Sequence, residues 1–275
     1  MIDPKKVCLY IPNGLSSFKQ KLFNRISEKV GITSRGDVKK VASLPDDVLP
    51  LVGCSPELTE TIAGWRKSNR RWAYWDRGYQ NRVFATHLPR GENGGMYRFH
   101  INGFQLGKIK DVPVDRWHSD LAKIRKAGGI WSSMSTDGLP WRKNGRHIVI
   151  AAPTRTYCRF HRCESWIADT IDALARVTDR QLIIRDKESK RPLQWDLDVA
   201  HCLVTHASIA AVESVILGCP VFVHPDSAAA LVGETDLQKI EYPVYPDREP
   251  WLSSLAYSQF SESELLDGTL WRLLA

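Results

Sequence analysis

Long hydrophobic runs are missing from this sequence: no stretch reaches the roughly 18 consecutive apolar residues of a membrane-spanning helix. The first residues, MIDPKKVCLYIPNG, also lack the basic and then apolar pattern of a secretory signal. Cysteine is sparse, and several of the six cysteines lie in apolar runs such as KVCLYI and AHCLVT, which favours buried thiols over a disulfide framework. We therefore expect a cytoplasmic protein that does not act in a membrane.

Positive and negative charges are unevenly distributed along the 275 residues. Residues 1–150 contain 26 Lys and Arg against 13 Asp and Glu, whereas residues 151–275 contain 12 against 18. A strongly basic half beside a mildly acidic one indicates a polyanionic partner for the basic half. The alternative is a well-solvated basic surface without such a partner.

Short apolar runs alternate with amphipathic, helix-like segments, a pattern that predicts βαβ units and parallel sheets. The Gly-, Ser- and Pro-rich stretch at 127–145 interrupts this alternation, so we predict two small α/β domains that meet near residue 130. The predicted strands are 6–12, 48–53, 71–76, 97–103, 147–153, 181–187, 199–205 and 220–223. The predicted helices are 16–30, 55–68, 114–126, 164–178, 208–218 and 261–274.

The stretch THASIAAVESVILGCPVFV, at 205–223, places a small polar turn between a buried strand and a helix. In parallel sheets, ligands bind where strands end and helices begin, because a helix N-terminus offers N–H groups and the positive end of its dipole. The turn and the Ser208 hydroxyl therefore suit a phosphate. Glu213, about a turn and a half into the helix, suits the hydroxyls of a ribose. The alternative for Glu213 is a solvated helix face.

This segment, together with DVAHCLV, IVIAAPTRT, LIIRDK and the tail LAYSQFSESELLDGTLWRLL, resembles the donor half of glycosyltransferases with the two-Rossmann GT-B fold. The resemblance implies two Rossmann-like domains that face a cleft. Residues 1–130 would bind the acceptor, residues 131–250 would bind a nucleotide-sugar donor, and a C-terminal helix at 251–275 would cross back to the first domain. It also implies a nucleotide diphosphate sugar, expected to be a UDP-sugar, as co-substrate, with no tightly bound cofactor and no essential metal.

The resemblance implies a donor site in which Glu213 binds the ribose. The cations for the diphosphate would be Arg155, Arg185 and Lys187, and the polar contacts in the turn would be His206 and Ser208. Cations matter there because negative charge grows on the leaving group. Surface charges are the alternative for Arg185 and Lys187, and a core or capping role is the alternative for His206. The nearby Cys158, His161 and Cys163 suggest zinc, but a fourth ligand at matching spacing is missing.

The basic half concentrates cations and aromatic side chains in WRKSNRRWAYWDRGYQNRVF, residues 65–84. Cations bind phosphates without sequence preference, and aromatic rings stack on bases, so this composition is typical of nucleic-acid contact. Aromatics that alternate along a strand more often pack in a core, which is the alternative for Trp72, Tyr74 and Trp75. The predicted acceptor-binding residues are Asn13, Gly14, Arg70, Arg71 and Arg77.

Asp76 ends a predicted buried strand and precedes an Arg-Gly turn, which places it at the mouth of the predicted cleft. An inverting transferase needs a carboxylate or a His that accepts the proton of the acceptor hydroxyl. Asp76 is predicted to be this catalytic base, with His87 and His100 as the other candidates. The competing role for Asp76 is a structural ion pair with Arg77, Arg71 or Arg82.

The pattern WDRGY…YRFHINGFQ is similar to glycosyltransferases of phage genomes that modify hydroxymethylated pyrimidines in DNA. This resemblance implies transfer of a sugar to a base flipped out of duplex DNA, in the host cytoplasm if a phage encodes the chain. The basic half independently favours a DNA partner. The alternatives are a transferase for a surface glycan or small acceptor, and a non-catalytic module that binds nucleotides or nucleic acid. The oligomeric state is left open.

Overall fold

The computed structural model describes residues 2–14, 23–79, 96–126, 128–189 and 191–274. Within these ranges the chain forms two mainly parallel sheets flanked by helices, which confirms the predicted α/β fold with two Rossmann-like halves. The strands are β1 (Val7–Ile11), β2 (Ile32–Arg35), β3 (Leu49–Val52), β4 (Ala73–Arg77), β5 (Tyr97–Ile101), β6 (His147–Ala151), β7 (Leu182–Arg185), β8 (Ala200–Thr205), β9 (Val221–Val223) and β10 (Gln259–Phe260).

The helices are short, and several begin at an Asp, Thr or Ser whose side-chain oxygen accepts an N–H of the first turn. The α-helices are α1 (Val38–Ala42), α2 (Thr59–Lys67), α3 (Asp115–Lys126), α4 (Arg155–His161), α5 (Trp166–Leu174), α6 (Leu193–Leu197), α7 (Ile209–Ile216), α8 (Glu249–Ala256), α9 (Glu262–Leu266) and α10 (Thr269–Leu273). Residues 23–27 are also helical. Short 3₁₀ segments lie at Pro4–Lys6, Pro56–Leu58, Gly129–Ser133, Ala228–Leu231 and Leu237–Lys239.

The first sheet has the strand order β10-β5-β4-β3-β1-β2. Strands β1 to β4 run parallel, and every residue of β1 is buried, as expected for an apolar strand that is covered on both faces. Strands β5 and β10 extend the β4 side of the sheet in antiparallel pairing. The parallel part of the sheet therefore ends at β4.

The second sheet, with the order β7-β6-β8-β9, is parallel throughout and repeats the order β2-β1-β3-β4 of the first. The two central strands are β1 and β3 in the first sheet and β6 and β8 in the second. In each sheet, the chain leaves one central strand toward one edge and the other central strand toward the opposite edge. Ligands of open parallel sheets bind at such a switch point, outside the carboxyl ends of the strands. The topology therefore directs attention to the residues that follow these four strands.

The C-terminal segment returns from the second half to the first. Helix α8 packs on α3, β10 joins the first sheet, and buried side chains of α9 and α10, Trp271 among them, complete the core cluster that contains Leu9 of β1. The prediction of one continuous helix at 261–274 is wrong, because Gly268 has a φ of +87° and separates α9 from α10. A left-handed residue cannot continue an α-helix.

Helix α3 packs with the second half. Its residues Trp117, Leu121 and Ile124 lie in the same buried cluster as Val212 of α7 and Trp251 of α8. The compositional break at 127–145 therefore does not coincide with a break between hydrophobic cores. The domain boundaries at residues 130 and 250 stay predictions.

Replacing Trp271 with Ala is expected to lower the free energy of unfolding by about 3–5 kcal/mol, because the change removes a buried ring from the core of the first half. Chemical denaturation followed by circular dichroism measures the loss. Leu273→Ala in the same helix is the matched control: its side chain is 42% exposed, so we expect a loss below about 1 kcal/mol. Equal losses in both variants would contradict the docking of this segment on the first sheet.

Candidate functional site

The turn between β8 and α7 lies at the switch point of the second sheet. The hydroxyl of Thr205, the last residue of β8, donates to the carbonyl of Ala151 at the end of β6 over 2.7 Å, which ties the two central strands together. Ser208 caps α7, and its hydroxyl accepts from the amide of Ala210 over 3.2 Å. The start of α7 thus stands at the carboxyl end of the sheet, where its dipole favours an anion.

Helix α7 is buried from Ala210 to Ile216, which includes Glu213. The interpretation of Glu213 as a solvated residue is therefore wrong: it is only 7% exposed, and it lies within electrostatic range of Arg185. Gly218 follows the helix with a φ of +75°, which confirms the predicted stop. A Cβ at this position would lie 2.1 Å from the carbonyl oxygen of Pro140, so the close approach of two backbones also requires glycine.

A helix that was not predicted lies at residues 155–161, between the predicted strand 147–153 and the predicted helix 164–178. The hydroxyl of Thr154 accepts from the amide of Tyr157 over 3.2 Å and begins α4, and Arg162 ends it in the left-handed conformation. Thr154 is therefore the helix-start signal in this stretch. Arg155, the first residue of α4, is exposed at the carboxyl end of β6. It lines an open groove together with Pro153, Cys158, Glu164 and Ile167.

Aromatic and imidazole rings pack around His206. Its Nδ1 lies 3.0 Å from the hydroxyl of Tyr157, and its ring stacks on that of His224 with 4.2 Å between centroids. Burial, and then the neighbouring His224, lowers the pKa of His206 to about 4, while burial raises the pKa of Tyr157. At neutral pH the His206 imidazole is therefore uncharged, and it shares a hydrogen bond between Nδ1 and the Tyr157 hydroxyl. His206 thus presents a neutral, polar ring to this end of the sheet.

Arg185 lies at the end of β7, and its guanidinium is already engaged. It pairs with the buried carboxylate of Asp196, which also pairs with Arg191. Lys187 is exposed in the turn that follows β7. Arg185 therefore shares its charge with Asp196 before any ligand arrives, whereas Lys187 is presented to solvent.

Asp76 lies at the carboxyl end of β4, with its side chain 39% exposed. Its carboxylate accepts from the amide of Arg77 over 2.7 Å, from the hydroxyl of Tyr74 over 3.3 Å and from the guanidinium of Arg98 over 3.0 Å. Arg98 is buried on β5, and the antiparallel register sets it opposite Asp76. The ion pair proposed for Asp76 thus exists, with a different arginine as partner, and the carboxylate is still partly open to solvent.

His100, one of the other candidate bases, is buried beside the Asp76 cluster. Its Nε2 lies 2.6 Å from the hydroxyl of Tyr79, and this hydroxyl accepts from the amide of Leu106 over 2.8 Å. Burial lowers the pKa of His100 well below its ordinary value. The ring is 6% exposed, so His100 orders the chain after β5 and has little access to solvent. His87, the remaining candidate, lies outside the described residues.

Asn13, Gly14 and Arg77 lie on the carboxyl side of the first sheet, where the cleft was expected. Asn13 and Gly14 follow β1 at the switch point, and Arg77 is the exposed last residue of β4. Asn13 packs closely on Gly36, since a Cβ at Gly36 would lie 2.2 Å from Asn13 Nδ2. These three predicted acceptor-binding residues therefore share one edge of the sheet with Asp76.

Arg70 and Arg71 lie at the opposite, amino end of β4, about 16 Å of extended strand away from Asp76. Arg70 is largely buried and donates to the carboxylate of Asp46 over 2.9 Å and to the carbonyl of Pro45 over 2.8 Å. The structure thus does not bring these two predicted acceptor contacts to the cleft. The aromatic residues of this stretch, Trp72, Tyr74 and Trp75, are buried, which confirms their alternative role in the core.

Helix α4 connects the second half to the first. Phe160 enters the aromatic cluster of the first half, with its ring centroid 5.4 Å from that of Phe104 and 6.4 Å from that of Tyr74. The carbonyl of Phe160 accepts from the hydroxyl of Thr59 over 3.2 Å. The helix that begins at β6 is therefore anchored on the neighbouring half.

The same helix brings the two polar clusters together. Tyr157, which contacts His206, lies within electrostatic range of both Arg98 and Asp226. Arg98 belongs to the Asp76 cluster at the end of β4. The residues at the carboxyl ends of the two sheets thus face one shared space between the halves.

Gln105 ties the chain after β5 to both loops of the second half. Its Nε2 donates to the carbonyl of Ala207 over 2.5 Å, and its Oε1 accepts from the amide of Ala228 over 2.9 Å. Ala207 is the neighbour of His206, and Ala228 lies just beyond the turn that begins at His224. The buried side-chain amide of Gln105 therefore sets the distance between the loop that carries His206 and the loop that carries His224.

Sequence reasoning missed Tyr157, Arg98, His224 and Gln105 as members of the site. The Thr154 cap could have placed Tyr157 on a helix, and the position of His224 directly after β9 was a second signal. Arg98 is found only once β5 is known to pair with β4 in antiparallel register. Gln105 leaves no signal in the sequence, because its partners are backbone atoms more than 100 residues away.

In the described part of the chain, no three side chains of His, Cys, Asp and Glu are placed to hold a metal ion together. Cys158, His161 and Cys163 belong to that part. Across the same ranges, no helix is both long and apolar enough to cross a bilayer.

The two Rossmann-like halves, whose parallel strands share one order, agree with the GT-B architecture that the sequence predicted. The chain matches no protein-family model, and no curated protein matches its sequence. It is similar to the solved structure of Thermosulfurimonas dismutans KpsC, beta Kdo 2,7 transferase, with a TM-score of 0.51 and 13% identity over 98% of both chains. The beta Kdo 2,4 transferase of the same KpsC aligns over 100% of this chain and 99% of its own, with a TM-score of 0.48 and 10% identity. The first similarity confirms the predicted two-domain fold.

Replacing Gln105 with Leu is expected to lower the free energy of unfolding by about 2–4 kcal/mol, because Ala207 and Ala228 each lose a buried hydrogen-bond partner. Urea denaturation measures the change. Gln238→Leu, at an exposed position, is the matched control and should change stability by less than about 0.5 kcal/mol. A Gln105→Leu protein as stable as the parent would show that the two loops do not depend on this amide.

The protein is expected to lose stability as the pH falls from about 6.5 to about 4, because the folded state holds His206 and His161 neutral. Burial lowers the pKa of both rings to about 4, so the unfolded chain binds these protons first. The contribution of these neutral rings to the free energy of unfolding is complete at a pH above their pKa in the unfolded chain. It is lost as the pH falls toward their pKa in the folded protein. Thermal melts across this range measure the slope. His206→Gln should flatten the slope and His118→Gln, at an exposed site, should not; identical slopes in all three proteins would contradict this assignment.

Proposed function

We propose that the protein is a glycosyltransferase that moves a sugar from a nucleotide-activated donor to a hydroxyl group held between its two halves. The observation that carries this proposal is the meeting of two strand-end clusters across one space. Asp76 and Arg98 form the first cluster, and Tyr157, His206 and His224 form the second. A UDP-sugar is the expected donor, and the proposed reaction involves no metal.

The second half would bind the donor. The phosphates of the nucleotide sugar would lie at the start of α7. The positive end of the helix dipole and the hydrogen-bond donors around it stabilise negative charge there. Glu213 is the proposed ribose ligand on the same helix. The proposed phosphate and sugar contacts are Arg155, Arg185, Lys187, His206 and Ser208.

Asp76 would act as the catalytic base from the first half. It would accept the proton of the acceptor hydroxyl while the bond between the sugar and the phosphate breaks. Arg98 and the amide of Arg77 hold the carboxylate in one orientation, which favours a fixed angle of proton transfer. The negative charge that develops on the departing phosphate would be stabilised by the hydrogen-bond donors and cations of the second half.

A carbohydrate hydroxyl fits the first half better than DNA as the acceptor. Arg70 and Arg71 lie at the far end of β4, and several other cations of the first half already pair with carboxylates, for example Lys6 with Asp47. The similar structure from Thermosulfurimonas dismutans is named a Kdo transferase, and transfer of a sugar to a glycan is the activity we propose by analogy.

Transfer to a hydroxymethylated pyrimidine in DNA is the second candidate. The excess of 26 Lys and Arg over 13 Asp and Glu in residues 1–150 favours a polyanionic acceptor. Arg77, at the carboxyl end of β4, would be the phosphate contact nearest to the proposed base.

Replacing Asp76 with Asn should reduce transfer by a factor of about 10²–10⁴ while nucleotide binding is preserved, because the amide keeps the shape of the side chain and cannot take a proton. Mass spectrometry of products and calorimetry of nucleotide binding measure the two effects. Asp46→Asn, on the exposed partner of Arg70, is the control and should keep its activity. If Asp76→Asn is as active as the parent, Asp76 is not the base.

The acceptor class is decided by one panel of assays. The protein is incubated with UDP-, GDP-, CMP- and dTDP-sugars and with oligosaccharide acceptors, hydroxymethylated DNA or plain DNA, and mass shifts of the acceptors are recorded. We expect products with oligosaccharides only. Glycosylated nucleosides would instead establish the DNA candidate, and their yield should fall steeply with salt. If the protein binds nucleotides but neither transfers the sugar nor hydrolyses the donor, it is a non-catalytic binding module.

A further inference from the structure

We propose that Cys158 and Cys163 form a thiol modification site, a dithiol that closes reversibly to a disulfide when an oxidant of the peroxide or disulfide class reaches it. The inference does not rest on the proposed transferase activity. It rests on the way in which helix α4 ends, on the contact between the two thiols and on their exposure.

The end of α4 is built so that residues 158 and 163 meet. The amides of Arg162 and Cys163 both donate to the carbonyl of Cys158, the second of them over 3.0 Å, and Arg162 has a φ of +54°. The bond from Cys163 is the six-to-one bond of a Schellman motif, whereas the bond from Arg162 is that of the simpler αL motif. At a Schellman helix end, the residue after the left-handed one, here Cys163, packs on the side chain four residues before the left-handed one, here Cys158. In most such motifs that contact is hydrophobic, and here both members are cysteines.

The Cys158 thiol is close enough to Cys163 to act on its ionisation. Burial is the largest cause that raises the pKa of Cys163 to about 12, and the Cys158 thiol adds to it by its charge and by a hydrogen bond to Cys163. A disulfide requires the two sulfur atoms to move from hydrogen-bond contact to a covalent bond, and the backbone of the motif already holds the two residues together. Closure therefore needs little movement of the helix.

Exposure separates this pair from Cys8, Cys202 and Cys219, which are buried, whereas Cys54 is partly exposed like the pair. Cys158 and Cys163 are partly exposed, and Cys158 lines the open groove beside Arg155. Cys202 and Cys219 are electrostatic neighbours of each other, but both are buried and they belong to core clusters on opposite faces of the second sheet. The chain thus contains a second pair of nearby cysteines that an oxidant cannot link in the folded state.

The chemistry is balanced with one peroxide molecule for each pair. The Cys158 thiol loses its proton and its sulfur attacks one oxygen of hydrogen peroxide; the O–O bond breaks, a sulfenic acid forms, and the departing hydroxide takes up the proton as the first water molecule. The Cys163 sulfur then attacks the sulfenic sulfur; the S–O bond breaks as the S–S bond forms, and the hydroxyl leaves with the Cys163 thiol proton as the second water molecule. Two thiols are oxidised to a disulfide, one peroxide is reduced to two water molecules, and a dithiol reductant restores the starting state.

Mass spectrometry of the native, peroxide-treated protein tests the proposal directly. Trypsin cleaves after Arg159 and Arg162 and so separates the two cysteines, which means that a 158–163 disulfide appears as two linked peptides. We expect this linked species, its loss after dithiothreitol, and unmodified Cys202 and Cys219. In Cys158→Ser and Cys163→Ser the linked species should be absent. Sulfinic acids, adducts on single cysteines or links to Cys54, without a 158–163 link, would overturn the proposal.

A second measurement needs no variant and tests the role of the fold. The equilibrium constant for closing the 158–163 disulfide is measured in glutathione redox buffers, in the native protein and in concentrated guanidinium chloride. We expect the disulfide to be at least about ten-fold more stable in the native protein, because the Schellman motif holds the sulfur atoms in contact there. Equal constants would show that only the short separation in sequence brings these cysteines together.

Discussion

The insertion of Phe160 into the aromatic cluster of the first half is the contact on which the candidate site depends. Helix α4 begins at the carboxyl end of β6 in the second sheet, and its ring at Phe160 packs with Phe104 and Tyr74 of the first half. Tyr157 lies one turn earlier on the same helix and contacts His206. Because one rigid helix carries both contacts, the position of the His206 cluster is set by packing against the first half.

Two further connections limit how the halves can move. Gln105 reaches from the first half to the backbone of the two loops that carry His206 and His224. The C-terminal segment leaves the second half through α8 and then adds β10 and Trp271 to the first. Each connection buries side chains of one half in the other, so the cleft is held from three directions. A site for group transfer needs such a frame, because reacting groups must keep their separation.

The elements that were predicted well are those with strong local patterns. The apolar runs that became β1, β6 and β8 and the helix after Ser208 were found because burial and capping act on neighbouring residues. Strand β2 and helix α6 were missed, since four or five residues carry too little periodicity to stand out. The site was predicted unevenly for the same reason: Asp76 lies at the carboxyl end of a strand, whereas Arg70 and Arg71 precede that strand and were assigned to the cleft by composition alone.

By itself, the sequence determined the alternation of strands and helices, the stop at Gly218 and the placement of Asp76, His206 and Ser208 at strand ends. These features follow from backbone preferences and from the periodicity of apolar side chains, which are local properties. Only the tertiary structure decided that Arg98 faces Asp76 and that Asp196 forms an ion pair with Arg185. Such partners depend on strand register and on packing between segments far apart in the chain, and no local pattern records either.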